Sequence, residues 1–136
     1  MKVYINDKKY DAMPEETIIE LSDRVGIHIP RFCYHKHLSV VASCRMCLVD
    51  IEGVKNAQPA CSTPLREDMK IYTASEKTKD AQKSSMEFLL INHPLDCPIC
   101  DQGGECELQD ISLEHGDDHS TYCLLYTSPS PRDLRK

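Results

Sequence analysis

His93-Pro-Leu-Asp-Cys97-Pro-Ile-Cys100-Asp-Gln-Gly-Gly-Glu-Cys106 places one histidine and three cysteines within fourteen residues. The spacing is His-x3-Cys-x2-Cys-x5-Cys. Four soft ligands so close together are poorly explained by packing. Proline and glycine break the stretch, so bound metal is better placed than a hydrophobic core to order it. A second set lies upstream, as Cys33-x10-Cys44-x2-Cys47-x13-Cys61. An x2 spacing lets two sulfurs from one turn reach one centre, and both sets contain it. Four protein ligands close an iron–sulfur cluster of either common type. The eight residues therefore divide four and four, and we read two iron–sulfur centres serving electron transfer. Gly103 and Gly104 are expected to let backbone pass close to the inorganic core, because glycine lacks a Cβ.

Zinc is the competing reading. Two Cys-x2-Cys pairs can build one zinc site. Joining Cys44 and Cys47 to Cys97 and Cys100 would, however, strand Cys33, Cys61 and Cys106. Two separate zinc sites, one of four cysteines and one of three cysteines and a histidine, satisfy the count equally well. Disulfides are disfavoured, because Met1–Asn6 runs straight into an alternating strand pattern with no secretion signal before it. His28, His115 and His119 read as surface or loop residues. His35 and His37 follow Cys33 closely and read as surface loop, with a place behind the ligands as the alternative. Arg45, between two ligands, either balances cluster charge or faces solvent.

The composition agrees with inorganic cross-linking. The chain has 136 residues, 40% of them hydrophobic, with two Phe and no Trp, so its organic core must be modest. The formal charge is -6, and from Ser84 to Pro131 there is no Lys or Arg against nine Asp or Glu. That half is unsuited to nucleic acid, because phosphate contact requires cationic side chains. The longest apolar run, Phe88–Ile91, is far too short to span a bilayer.

Outward from the ligand sets, the chain reads as an α+β unit followed by a helical and loop unit. Lys2–Asn6 and Lys9–Met13 form a hairpin about Asp7-Lys8. Thr17 caps a helix with Glu20 as its capping-box partner, Ile18, Leu21 and Val25 share its inner face, and Gly26 stops it. Met46–Ile51, Gln58–Cys61 and Met69–Thr73 read as strands. Ser75–Asn92 reads as a connecting helix with Ala81, Ser85, Phe88 and Leu89 at helical spacing. It must end before Pro94, which puts His93 at a helix end facing the second ligand loop. Glu107–His115 reads as a short helix.

Cys123-Leu-Leu-Tyr-Thr-Ser-Pro-Ser-Pro-Arg-Asp133 does not fit what precedes it. Reverse translation resembles a transposase-type sequencing adapter across all eleven residues. We therefore expect residues 123–136 to be an adapter-derived tail, not native sequence, and leave them out of fold reasoning.

Three segments carry a family resemblance: Ile29-Pro-Arg-Phe-Cys-Tyr-His35, Cys44-Arg-Met-Cys-Leu-Val49, and His93 through Asp110. Residues 1–122 resemble the N-terminal part of the complex I large iron–sulfur subunit family, which in bacteria belongs to NADH-quinone oxidoreductase. The resemblance implies a β-grasp, ferredoxin-like domain over residues 1–74. There Cys33, Cys44, Cys47 and Cys61 would hold a [2Fe-2S] cluster. It implies a second domain over residues 75–122, where His93, Cys97, Cys100 and Cys106 would hold a [4Fe-4S] cluster. Electrons would come from NADH through a flavin-containing NADH-binding subunit and leave toward quinone. Other complex I subunits would be partners, with membrane contact only through the complex. The place would be the cytoplasmic side of the bacterial inner membrane. The same module occurs in iron-only hydrogenases and in NAD-linked formate dehydrogenase or hydrogenase subunits, the rival context. No residue reads as a substrate acid, base or nucleophile.

Overall fold

A computed structural model describes residues 1–117; the adapter-like segment, Cys123 and His119 lie outside them. The chain divides into two compact units, Met1–Ser85 and Met86 onward.

The first unit begins with the expected hairpin, its turn on Asn6-Asp7, one residue before the expected Asp7-Lys8. Strand β1 (Lys2–Ile5) pairs antiparallel with β2 (Lys8–Asp11), Ile5 opposite Lys8. Asn6 and Asp7 between them have φ of 50° and 67°. Two left-handed residues match the right-handed twist of the strands, and Asn and Asp tolerate that region better than most side chains. Val3 and Ile5 point inward and are fully buried.

Helix α1 (Ile18–Arg24) follows, and the Thr17 N–H donates to the Glu20 carboxylate at 2.9 Å, half of the expected capping box. Val25 ends the helix and Gly26, at φ 81°, turns the chain away. Ile18, Ile19 and Leu21 are fully buried, and Val25 packs partly against the same core. Glu16 ties the hairpin to this helix. Its carboxylate accepts the Met13 N–H and both the Nε and an Nη of Arg24, each at 2.9 Å, while Arg24 also donates to the Asp11 carbonyl.

Strands β3 (Leu48–Ile51), β4 (Gln58–Pro59) and β5 (Lys70–Tyr72) complete one sheet in the order β2-β1-β5-β3-β4. Only β1 and β5 run parallel; the other pairs are antiparallel. With α1 between the hairpin and the later strands, this is the β-grasp arrangement. Strand β4 stops at Pro59, short of the expected Cys61, and the chain turns there through Thr63, which donates both its N–H and its hydroxyl to the Pro59 carbonyl. Val49, Ile51 and Ile71 close the core together with Cys47 and Cys61.

Helix α2 (Glu76–Leu90) corrects the expected face. Phe88 is 75% exposed, while Thr78, Gln82, Met86 and Leu90 are buried. Within the first unit the buried positions of the helix are thus polar, Thr78 and Gln82, and the apolar Met86 and Leu90 are buried in the second. The reason is that polar groups serve the sheet here. The Thr78 hydroxyl accepts the Asp50 N–H at 3.0 Å and donates to the Tyr72 carbonyl at 2.9 Å, and the Gln82 amide reaches the Leu48 carbonyl. Ser75 caps the helix by accepting the Thr78 N–H at 3.2 Å.

The second unit contains the end of α2, a single 3-10 turn at Cys97–Ile99 and helix α3 (Glu107–His115), whose bounds are those expected. Among the described residues no helix is long and apolar enough to cross a membrane.

Candidate metal centres

Arg31 positions the segment that carries Cys33. Its guanidinium donates to the Ile29 carbonyl at 2.9 Å and to the Asp23 carboxylate of α1 at 2.6 Å, and it stacks 5.6 Å from the Tyr34 ring. Cys44 and Cys47 sit on the turn that feeds β3. Cys61 follows β4, and the Ala60 N–H donates to the Cys47 carbonyl at 3.0 Å, so strand pairing sets Cys47 beside Cys61.

The four thiols act on one another. Burial opposes ionisation of Cys33, but hydrogen bonds from Cys44 and Ser43 outweigh it and lower the thiol from 9.0 to about 7. Cys61 is pushed up to about 12, first by burial and then by Cys47, Cys33 and Cys44. Four thiolates this close repel unless a cation shares them, and coordination deprotonates a thiol outright. The donor set and its repulsion therefore fit an iron cluster. The seven described cysteines are free thiols, Cys47 and Cys61 buried and the others reachable.

The loop from 42 to 46 is wound for close approach. Ala42 and Arg45 have φ of 51° and 56°, the left-handed region that costs a non-glycine residue roughly 1–2 kcal/mol. The winding turns the Met46 N–H toward Cys44 Sγ, at 3.5 Å. Arg45 is exposed, as are His35 and His37, whose rings stand 5.5 Å apart at a loop surface.

In the second unit, His93, Cys97, Cys100 and Cys106 line one cavity of about 370 Å³, closed in part by Gly103 and Leu113. Helix α2 ends at Leu90 and the His93 N–H still bonds to the Leu90 carbonyl, so the histidine hangs from the helix end as expected. Pro98 lies in the 3-10 turn, where the Cys100 N–H closes onto the Cys97 carbonyl at 3.2 Å. Cys106 immediately precedes α3. A Cβ on Gly103 would lie 2.5 Å from the Cys97 carbonyl oxygen and 3.1 Å from that of Cys100. Gly103 is thus required by the Cys97–Cys100 turn itself. Gly104 has open space and a φ of 88°. Among the described residues, no three His, Cys, Asp or Glu groups gather tightly enough for a single metal ion.

Residues 1–76 match the 2Fe-2S iron–sulfur cluster binding domain family. This chain belongs to that family. Residues 82–124 of this 2Fe-2S domain protein match the NADH-ubiquinone oxidoreductase-G iron–sulfur binding region, a [4Fe-4S] family. The chain is therefore a carrier of one [2Fe-2S] and one [4Fe-4S] cluster. It is 44% identical over 122 residues to the NADH-ubiquinone oxidoreductase 75 kDa subunit of Reclinomonas americana, covering 90% of this chain and 18% of that one. It is 45% identical over 122 residues to an NADH-quinone oxidoreductase subunit of Rhizobium meliloti (strain 1021), covering 90% of this chain and 14% of the relative. The 2Fe-2S domain protein thus spans under a fifth of these relatives' length. A solved NAD+-reducing [NiFe]-hydrogenase shares the fold at a TM-score of 0.78 and 24% identity, over 88% of this chain and 51% of that one.

Two contributors escape a reading of spacing. Ser43 donates to Cys33, and Ser85, on α2, donates its hydroxyl to the Arg45 carbonyl at 2.9 Å. Nothing in the order of residues links position 85 to position 45.

Proposed function

We propose that this chain is an iron–sulfur relay module of respiratory NADH:quinone oxidoreductase. It passes electrons from a flavin-containing NADH-binding subunit toward quinone within a complex I assembly. In this reading residues 1–74 form the [2Fe-2S] domain, with Cys33, Cys44, Cys47 and Cys61 as ligands. Residues 75–122 form the [4Fe-4S] domain, with His93, Cys97, Cys100 and Cys106, and 123–136 are not native. The observation that carries it is the common cavity of those last four residues, together with a separate nest of four interacting thiols. The complex I relatives support the assembly. The subunit would sit peripherally at the cytoplasmic face of a bacterial inner membrane, held there by its partners.

The clusters supply reversible one-electron chemistry. The protein supplies position and potential. Buried Cys47 and Cys61 anchor the first site against the core, while Cys33 and Cys44 face outward. His93 contributes a neutral donor where a cysteine would bring a negative charge. The second site is then less negative by about one charge, which on electrostatics raises its potential. The turn at Cys97–Cys100, closed against Gly103, would hold two of the three thiols in place, with Cys106 presented from the start of α3.

Anaerobic reconstitution tests this reading. The expected product holds about six Fe and six acid-labile sulfides per chain. His93→Ala should disturb the [4Fe-4S] electron-paramagnetic signal and leave the [2Fe-2S] signal unchanged. Zinc without labile sulfide would reject the reading, and loss of the [2Fe-2S] signal alone would reject the grouping.

A further inference from the structure

The Arg45–Met46 peptide is held at both ends. Its carbonyl accepts the Ser85 hydroxyl at 2.9 Å, and its N–H points to Cys44 Sγ at 3.5 Å. The two groups belong to one rigid plane, so fixing the carbonyl fixes the direction of the N–H. The plane needs such a hold, because Arg45 lies in the left-handed region at φ 56° without being glycine. A rotated plane would aim its carbonyl dipole at the sulfur in place of the N–H. A donor on the carbonyl also polarises the amide and strengthens its N–H.

We propose that Ser85 is a positioning residue for the first cluster, acting through the Arg45–Met46 peptide to hold a hydrogen bond on Cys44 Sγ. This rests on the reading of Cys44 as a [2Fe-2S] ligand. A hydrogen bond to a ligand sulfur stabilises the more negative, reduced cluster and so raises its potential. Ser85 reaches the peptide from α2, whose N-terminal half is separately bonded to the sheet through Thr78 and Gln82. The helix is therefore a firm base for the contact, which does not depend on the loop's own winding. Position 85 is half-buried and mid-helix, where alanine is a better helix former than serine, so its replacement leaves the helix intact.

The experiment is a redox titration of the full chain, anaerobically reconstituted, followed by electron paramagnetic resonance. Ser85→Ala should lower the [2Fe-2S] midpoint potential and weaken the coupling of an exchangeable proton to that cluster, with the [4Fe-4S] potential unmoved. Ser85→Thr, which keeps the hydroxyl, should restore both. An unchanged [2Fe-2S] potential in Ser85→Ala beside a normal wild-type signal overturns the proposal alone. So does a Ser85→Thr protein that behaves like the alanine variant. Absence of the [2Fe-2S] signal from the wild-type chain overturns the ligand reading and the proposal with it.

Discussion

Gly103→Ala should empty the second cluster site while sparing the first. The new Cβ would meet the Cys97 carbonyl oxygen at 2.5 Å, and that gap must open to 3.4 Å before the contact is ordinary. The obstacle is backbone, which cannot swing aside like a side chain. The same carbonyl accepts the Cys100 N–H at 3.2 Å, and Gly103 itself donates to the Cys100 carbonyl at 3.0 Å. Relief of the clash therefore strains or breaks the turn that spaces two ligands. Overpacking costs about 1–3 kcal/mol and a lost hydrogen bond about 0.5–1.5 kcal/mol. Together they come to roughly 2–4 kcal/mol against the loaded turn, or on the order of 30-fold or more in cluster retention. The assay is iron and sulfide content after reconstitution, with both paramagnetic signals recorded. Iron should fall from about six to about two per chain, with the [2Fe-2S] signal intact. Gly104→Ala is the control. It meets open space and pays only for its left-handed φ of 88°, so it should retain the four-iron signal with a milder loss of stability. Wild-type four-iron loading in Gly103→Ala would refute the reasoning, as would equal loss in the two glycine variants.

Thr78→Val keeps the shape of a fully buried side chain but abandons the Asp50 N–H and the Tyr72 carbonyl. Urea unfolding should show a loss of about 1–3 kcal/mol; no loss would mean that both groups find other partners. Glu16 is held below its ordinary 4.5, first by the hydrogen bond from Arg24, against the opposing effect of burial. A depressed carboxyl stabilises the fold above 4.5, and that contribution is lost as pH falls through the lower folded value. Glu16→Gln should therefore be less stable at neutral pH, with the difference shrinking below pH 4.5. A difference that stays constant from neutral pH to below pH 4.5 would contradict the assigned bridge.

Much of the local structure was legible because its causes are local. The hairpin was legible, but its turn falls on Asn6-Asp7 and not on Asp7-Lys8, because Asn and Asp tolerate the left-handed φ that the turn needs. Thr17 and Glu20 start α1 and Gly26 ends it within one short window. The two candidate ligand stretches stand out because cysteine and histidine spacing reports how a turn presents donors, whatever surrounds the turn. The inner face of α2 was not legible. Its buried positions include Thr78 and Gln82, which periodicity scores as surface, because their partners are the polar backbone of strands some thirty residues earlier. Spacing marks Gly103 but not the backbone that its missing Cβ must clear, which is that of Cys97 and Cys100.

What the order of residues supplied by itself was the candidate chemistry, eight cysteine and histidine side chains at metal-ligand spacing, and which segments are strand or helix to within a residue or two. Those follow from neighbours within a few positions. The parallel pairing of β1 with β5 was decided only in three dimensions, as were the meeting of Cys33 and Cys44 with Cys61 and the reach of Ser85 to the Arg45 carbonyl. Each joins residues far apart in the chain. Such contacts depend on closing long loops around a shared core, and no local pattern records which loops close together.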